Sequence, residues 1–157
     1  QDHEKGDDMP DATVKRLDEM ESFYDGLVTR ARAELGVTSW GMQVFNFPPG
    51  FDQYPNHPHG GGAVDPGQEE LCIPLAGSAE LALNGDRHRL EPGVWARVGP
   101  DEKRKIVAGG EGARILAIGG TPGKVHEPPE YSIEGASEHE EIKRKMREEA
   151  ERQEAKA

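Results

Sequence analysis

From Thr38 to Gly123 the chain never runs far before a glycine- or proline-rich turn stops it, and this punctuation most limits what it can fold into. Trp40, Met42, Val44, Phe45 and Phe47 mark a strand that ends at Pro48-Pro49-Gly50. Glu69 to Leu75 reads as a second strand, Gly77-Ser78 as a turn, and Ala79 to Leu83 as a third strand. Asn84-Gly85 is the strongest hairpin signal here, because both central residues of a type I′ turn need positive φ, which Asn and Gly tolerate. Its partner strand is Arg87 to Leu90. Pro92-Gly93 turns the chain into Val94 to Val98, and Gly99-Pro100-Asp101 turns it again. Lys105 to Ala108, a Gly109–Gly112 turn and Arg114 to Ile118 finish the series. Short strands spaced roughly 8–12 residues apart predict an all-β sandwich or barrel. No helices alternate with them, so a parallel α/β sheet is not expected. No repeat recurs at a fixed period of roughly 20–50 residues, which sets solenoids and propellers aside.

The flanks read differently. Residues 11–35 carry Val14, Leu17, Tyr24, Leu27, Val28, Ala31 and Leu35, mostly three and four apart. That spacing predicts a short extended piece near 13–17 and a helix within about 24–35, closed by Gly36 as a C-cap. At the other end, Ser137 and Glu140 resemble a capping box. Acidic residues lead and basic ones follow, with Glu140–Arg144 and Glu141–Lys145 four apart, so a solvated surface helix is expected. Ile142, Met146 and Ala150 form one narrow apolar line along it, suited to packing on the barrel or on a second subunit.

Charge follows the same division. The chain has 157 residues, 30 acidic and 19 basic, for a net −11. Residues 1–10 carry four acids and one base, and residues 134–157 carry eight acids and six bases. The middle, 11–133, holds 18 of the 20 glycines and 11 of the 12 prolines. The expected organisation is therefore a polar extension (1–10), one barrel domain (11–133) and a charged C-terminal helix (134–157). Residues 1–8 are set aside from the fold, with Met9 the expected native start. The acidic balance argues against nucleic-acid binding, which needs a basic footprint. No apolar run approaches the ~20 residues that cross a bilayer, so no membrane partner is expected. Gln1 to Lys5 lacks the basic start and apolar stretch of a secretory leader. With one cysteine there is no internal disulfide, and a reducing cytoplasm is the expected compartment.

Candidate chemistry centres on His57-Pro58-His59 and the following Glu69-Glu70. Imidazoles two residues apart on an extended chain point the same way. A carboxylate from a strand would complete two His and one carboxylate, a facial triad with open positions suited to Fe, Mn, Ni or Zn. No phosphate-cradling loop is present, since Gly60-Gly61-Gly62 lacks the Lys-Ser/Thr that follows in such loops.

Gly50, six residues, His57-Pro58-His59, ten residues, Glu70, six residues and Gly77 resemble the first motif of the cupin superfamily, G-x5-H-x-H-x3–4-E-x6-G. The Glu-to-Gly spacing selects Glu70 over Glu69. The loop between His59 and Glu70 is about six residues longer than the family's, and its Gly60 to Pro66 segment suits a flexible lip. Gly85 and Leu90-Glu91-Pro92-Gly93 resemble the first half of the second motif, G-x5-P-x-G-x2-H-x3-N. The likeness runs from Gly50 to Gly120 and is closest to small single-domain cupins with a Gln68-Glu69-Glu70 strand start. It implies an antiparallel double-sheet jelly-roll barrel, with an N-terminal helical segment and a C-terminal surface helix outside it, and a homodimer.

The family's second-motif metal ligand is a His, and Arg104 stands where it should be. A guanidinium stays charged and cannot ligate a metal. Two arrangements follow. His57, His59 and Glu70 hold a metal while Arg104 orients an anionic ligand, or Arg104 pairs with Glu70 and replaces the metal with a charge-assisted hydrogen bond. Tyr54 edges the barrel mouth, and Cys72 shares Glu70's face of the strand, so Arg104, Tyr54 and Cys72 are the candidate ligand-binding residues. The favoured reading of Cys72 by itself is a small buried hydrophobe. Gln68 and His88 are weaker candidate ligands. His88 and His126 read as surface residues; Trp40, Phe45, Phe47, Phe51 and Trp95 read as core. The expected function is a barrel that binds a small molecule, with a metal site as an option. The alternative is a metal-dependent enzyme, dioxygenase- or isomerase-like, acting on a small organic acid or related metabolite.

Overall fold

The computed structural model describes residues 10–53 and 67–128, with residues 148, 151–152 and 155–156 of the tail. The elements are strands β1 (Ser22–Phe23) and β2 (Val28–Thr29), helix α1 (Ala31–Leu35), and strands β3 (Gly41–Phe47), β4 (Glu69–Leu83), β5 (Asp86–Leu90), β6 (Ala96–Val98) and β7 (Arg104–Gly120). Among the described residues the strands form one antiparallel sheet in the order β1-β2-β3-β7-β4-β5, with β6 also on β4. Hydrogen bonds do not close it into a ring. The expected antiparallel, mostly-β character is present. The Ser137–Ala150 reading lies almost wholly outside the described residues.

Two expected turns are built into strands instead. Gly77-Ser78 interrupts no strand, and neither does Gly109–Gly112; each lies inside a long one, β4 or β7. The β4–β7 register explains how. Gly77 faces Ala113 and Ala79 faces Ala108, so the four residues 109–112 of β7 lie opposite Ser78 alone. A length mismatch of this kind is a bulge, and it bends the ribbon. Glycine signals a break in either case, and only the pairing separates a turn from a bulge. Gly77 and Gly112 have φ of 69° and 78°. A methyl group on Gly112 would stand 2.6 Å from the Phe47 carbonyl oxygen, so only glycine fits.

The bend doubles the ribbon over. Arg104 faces Leu83 in the register, thirteen positions beyond Glu70 on β4, which in a flat strand is roughly 43 Å. Their side chains approach to 3.9 Å. Enclosed by the fold-over is a core of Phe47, Leu81, Leu90, Val98, Ile106 and Ile115, with Cys72 and Ala79 filling between them. Phe47 stacks on Phe45 at 5.4 Å and on Phe51 at 5.0 Å between ring centres. Trp40 and Trp95, expected in the core, are 43% and 66% exposed. Trp95 shares strand parity with Arg97, which faces outward.

The Asn84-Gly85 hairpin forms as expected, with φ of 48° and 86° and Leu83 paired to Asp86. The helix predicted over 24–35 shrinks to the five residues of α1, capped by Gly36 at φ 76°. Tyr24, Asp25 and Gly26 all take positive φ and turn β1 into β2, which stops a helix from starting earlier. The apolar spacing that suggested helix there serves the sheet instead: Phe23 pairs with Val28, and Val28 with Phe45. Near 13–17 the chain has no regular structure until a single 3-10 turn at Leu17–Glu19.

Gly112→Ala is expected to cost about 2–4 kcal/mol in urea denaturation, combining left-handed backbone with a backbone clash. Gly110→Ala, with open space around the new methyl group, is expected to change stability by less than about 1 kcal/mol.

Candidate functional site

β4 opens with alternating sides. Glu70 and Cys72 point inward and are buried, while Glu69 points outward to Arg97, its Oε2 accepting from Arg97 Nε at 2.8 Å. The outer pair leaves the inner carboxylate for the core. On either side of Glu70 stand Val98 of β6 and Gly119 of β7. Gly119 offers no side chain, and the buried Gln68 occupies that space; a methyl group there would lie 2.5 Å from Gln68 Cδ. Gln68 is therefore packed into the wall against Gly119 and Gly41.

Arg104 opens β7 and is fully buried, pointing inward as its place in the motif implied. Its Nη2 donates to the Gly99 carbonyl at 2.6 Å and to the Glu102 carbonyl at 3.2 Å, and its Nε donates to Glu102 at 3.3 Å. The two carbonyls belong to the turn just before β7, so the guanidinium is held by its own loop. Among the described residues Nη1 makes no hydrogen bond, and it stands 3.9 Å from Glu70 Oε1. The Arg104–Glu70 contact, the second of the two arrangements drawn from the sequence, is thus an ion contact at 3.9 Å in place of a charge-assisted hydrogen bond. Cys72 Sγ donates to the same Glu70 oxygen at 3.5 Å. Burial, and then the neighbouring Glu70 carboxylate, pushes the Cys72 thiol up far enough to stay protonated.

Tyr54, His57 and His59 lie outside the described residues. The described part of the site supplies one candidate metal ligand, the Glu70 carboxylate. It offers one carboxylate and one thiol that holds its proton, and it sets a fixed cation 3.9 Å from that carboxylate. Among the described residues no group of three His, Cys, Asp or Glu side chains is placed to hold an ion. His88 is exposed on β5, as expected. His126 is half-buried rather than on the surface. The position a Gly41 side chain would take lies 3.1 Å from His126 Cε1 and 3.3 Å from Gln68 Nε2, so the missing side chain admits both. No sequence motif marked His126; the glycine that admits it was the available signal.

No family model matches the chain, and no curated protein matches it. Solved structures do. A cupin protein from Bacteroides fragilis is similar at 19% identity and a TM-score of 0.55, over 83% of this chain and all of that one. A sugar phosphate isomerase from a cupin superfamily of Silicibacter pomeroyi is similar at 20% identity and a TM-score of 0.57, over 74% of this chain and 77% of that one. At these identities the likeness is one of fold.

Cys72, the single cysteine, is 1% exposed. Iodoacetamide is expected to alkylate it about a hundredfold or more slowly in the folded chain than in urea. Its folded thiol keeps its proton where an unfolded one, with a pKa near 9.0, loses it. Unfolding therefore releases a proton above about pH 9, and stability should fall there by up to ~1.4 kcal/mol per pH unit more than in Cys72→Ala.

Proposed function

With the cupin fold of the chain as premise, we propose that it binds a small molecule at the barrel end where Glu70, Cys72 and Arg104 meet. The observation that carries this reading is Arg104 Nη1: a buried cationic donor without a hydrogen bond among the described residues, 3.9 Å from a buried carboxylate oxygen. Buried donors are rarely left unmade. One oxygen within hydrogen-bond reach of both atoms would accept from Nη1 and donate to Oε1. A hydroxyl group does both, and the pair is neutral in sum. The ligand is accordingly a small hydroxyl-bearing metabolite, a hydroxy acid among them. Tyr54, His57 and His59 are its further polar contacts in this proposal.

A second reading keeps the metal. Glu70 faces inward, and an Fe, Mn, Ni or Zn ion held by it with His57 and His59 would supply Lewis acidity to a dioxygenase- or isomerase-like enzyme. The similar Silicibacter pomeroyi protein is described as a sugar phosphate isomerase, but a shared fold carries no activity with it. Homodimerisation and a cytoplasmic location belong to the same proposal. They are supported by the half-buried outward face of Leu71, Ile73, Leu116 and Ile118 and by the free thiol of Cys72. Light scattering on the full chain should give twice the monomer mass; a monomer removes the dimer.

Malate and succinate differ by one hydroxyl and separate the readings. Malate is expected to raise the melting temperature at concentrations about tenfold or more below those succinate needs, and Arg104→Gln to abolish the difference. Equal effects of the two acids, or an undiminished malate effect in Arg104→Gln, would remove the hydroxyl reading. A stoichiometric transition metal in untagged protein, lost in Glu70→Gln, would establish the second.

A further inference from the structure

A groove of about 610 Å³ opens between the β1–β2 turn and the glycine bend of β4 and β7. From Glu70 to Gly77, on its wall, is seven residues of β4, roughly 23 Å of strand. The volume falls within the roughly 300–1,000 Å³ of small-molecule sites. Its floor is apolar: Phe47 and Phe51, whose rings stack within 9° of parallel, with Leu27 beside them.

The wall is fixed by a hydrogen-bonded chain. Asn46 Nδ2 donates to the Gly26 carbonyl and to Thr29 Oγ1, both at 2.9 Å. Arg114 Nε donates to Asn46 Oδ1 at 3.0 Å, and its Nη1 donates to Asp18 Oδ1 at 3.1 Å. These bonds engage the one cation that lines the groove and offset its charge with Asp18. Two other charged residues line it, Asp25 and Glu111. Both are exposed, and neither makes an ion pair among the described residues. Asp25 is held at the rim by a left-handed backbone, φ 54°. Arg89 lies within electrostatic reach of Glu111. An apolar floor under two carboxylates complements an ammonium group on an apolar body. It repels an anion and gives a neutral molecule hydrogen bonding without the charge attraction.

We propose that this groove is a second binding site, separate from the barrel end, for a small organic cation of the aryl- or alkylammonium class. The apolar body lies against Phe47 and Phe51, and the ammonium is drawn to Asp25 and Glu111.

Phenethylammonium is the probe, and amide NMR spectra of the full chain are the readout. Saturable shifts are expected at Gly26, Gly77 and Gly112, weakening as salt is raised. Phenethyl alcohol, of nearly the same shape without the charge, should bind about two- to fivefold more weakly, the scale of an exposed ion pair. Asp25→Asn should lower the ammonium's affinity towards that of the alcohol, since Asn tolerates the left-handed backbone; Glu111→Gln should act the same way. Shifts that are absent or spread evenly over the surface overturn the site. An alcohol that binds as tightly as the ammonium, or affinity unchanged in both variants, overturns the cationic ligand.

Discussion

The close approach of Gly77 to Gly112 is the constraint on which the rest of the molecule depends. Where these backbones meet, β7 carries four residues against one of β4, and the long two-stranded ribbon doubles over. One half, Glu69 to Pro74 with Ala113 to Gly120, continues into β3 and β2. The other, Ala79 to Leu83 with Arg104 to Ala108, continues into β5. Only because the halves fold back does Arg104, at the far end of the ribbon, reach Glu70 at the near end. The same bend, seen from its outer side, forms a wall of the groove beside Phe47 and Phe51. Both candidate sites are thus consequences of one bulge.

Burying Arg104 needs its own account. At an effective dielectric of about 20, unit charges 3.9 Å apart attract by about 4 kcal/mol. Taking both ions out of water costs several kcal/mol each. The contact with Glu70 therefore does not by itself hold the guanidinium inside. The carbonyls of Gly99 and Glu102 supply the difference by satisfying Nη2 and Nε. The 99–104 turn is consequently part of the site, and Arg104 is positioned before any partner is considered. Nη1 is the atom left over.

Much of this was legible in the sequence, and what was missed has a physical pattern. Strand β3, the Asn84-Gly85 hairpin, the Gly36 cap and the inward Arg104 each rest on a local rule: alternation, positive φ, or motif spacing. The errors lie where a local signal has two outcomes. Gly77 and Gly109–Gly112 mark breaks, and whether a break becomes a turn or a bulge depends on a partner strand some 35 residues away. Leu27, Val28 and Ala31 fit helical spacing, yet three consecutive left-handed residues set their conformation first. Trp40 and Trp95 are apolar enough for a core, yet both sit just outside strands, before β3 and β6, and stay exposed. The Asn46–Arg114–Asp18 chain carries no signature, since its members are 28 to 96 residues apart.

On the motif resemblance, Arg104 stands where a ligating imidazole is expected, and that changes what this end of the fold can offer. A divalent ion and a guanidinium both place positive charge beside Glu70, but they differ in what they leave open. A metal exchanges ligands and polarises whatever enters its free positions. A guanidinium held by two carbonyls through Nε and Nη2 offers the two N–H bonds of Nη1 in a fixed plane. Next to a carboxylate it makes a neutral donor–acceptor pair, which discriminates by hydrogen-bond geometry more than by charge. The thiol of Cys72 sharpens this: by donating to Oε1 it fixes that carboxylate oxygen. Under the proposed reading, the buried chemistry of this end suits recognition of a polar group through Glu70 and Arg104.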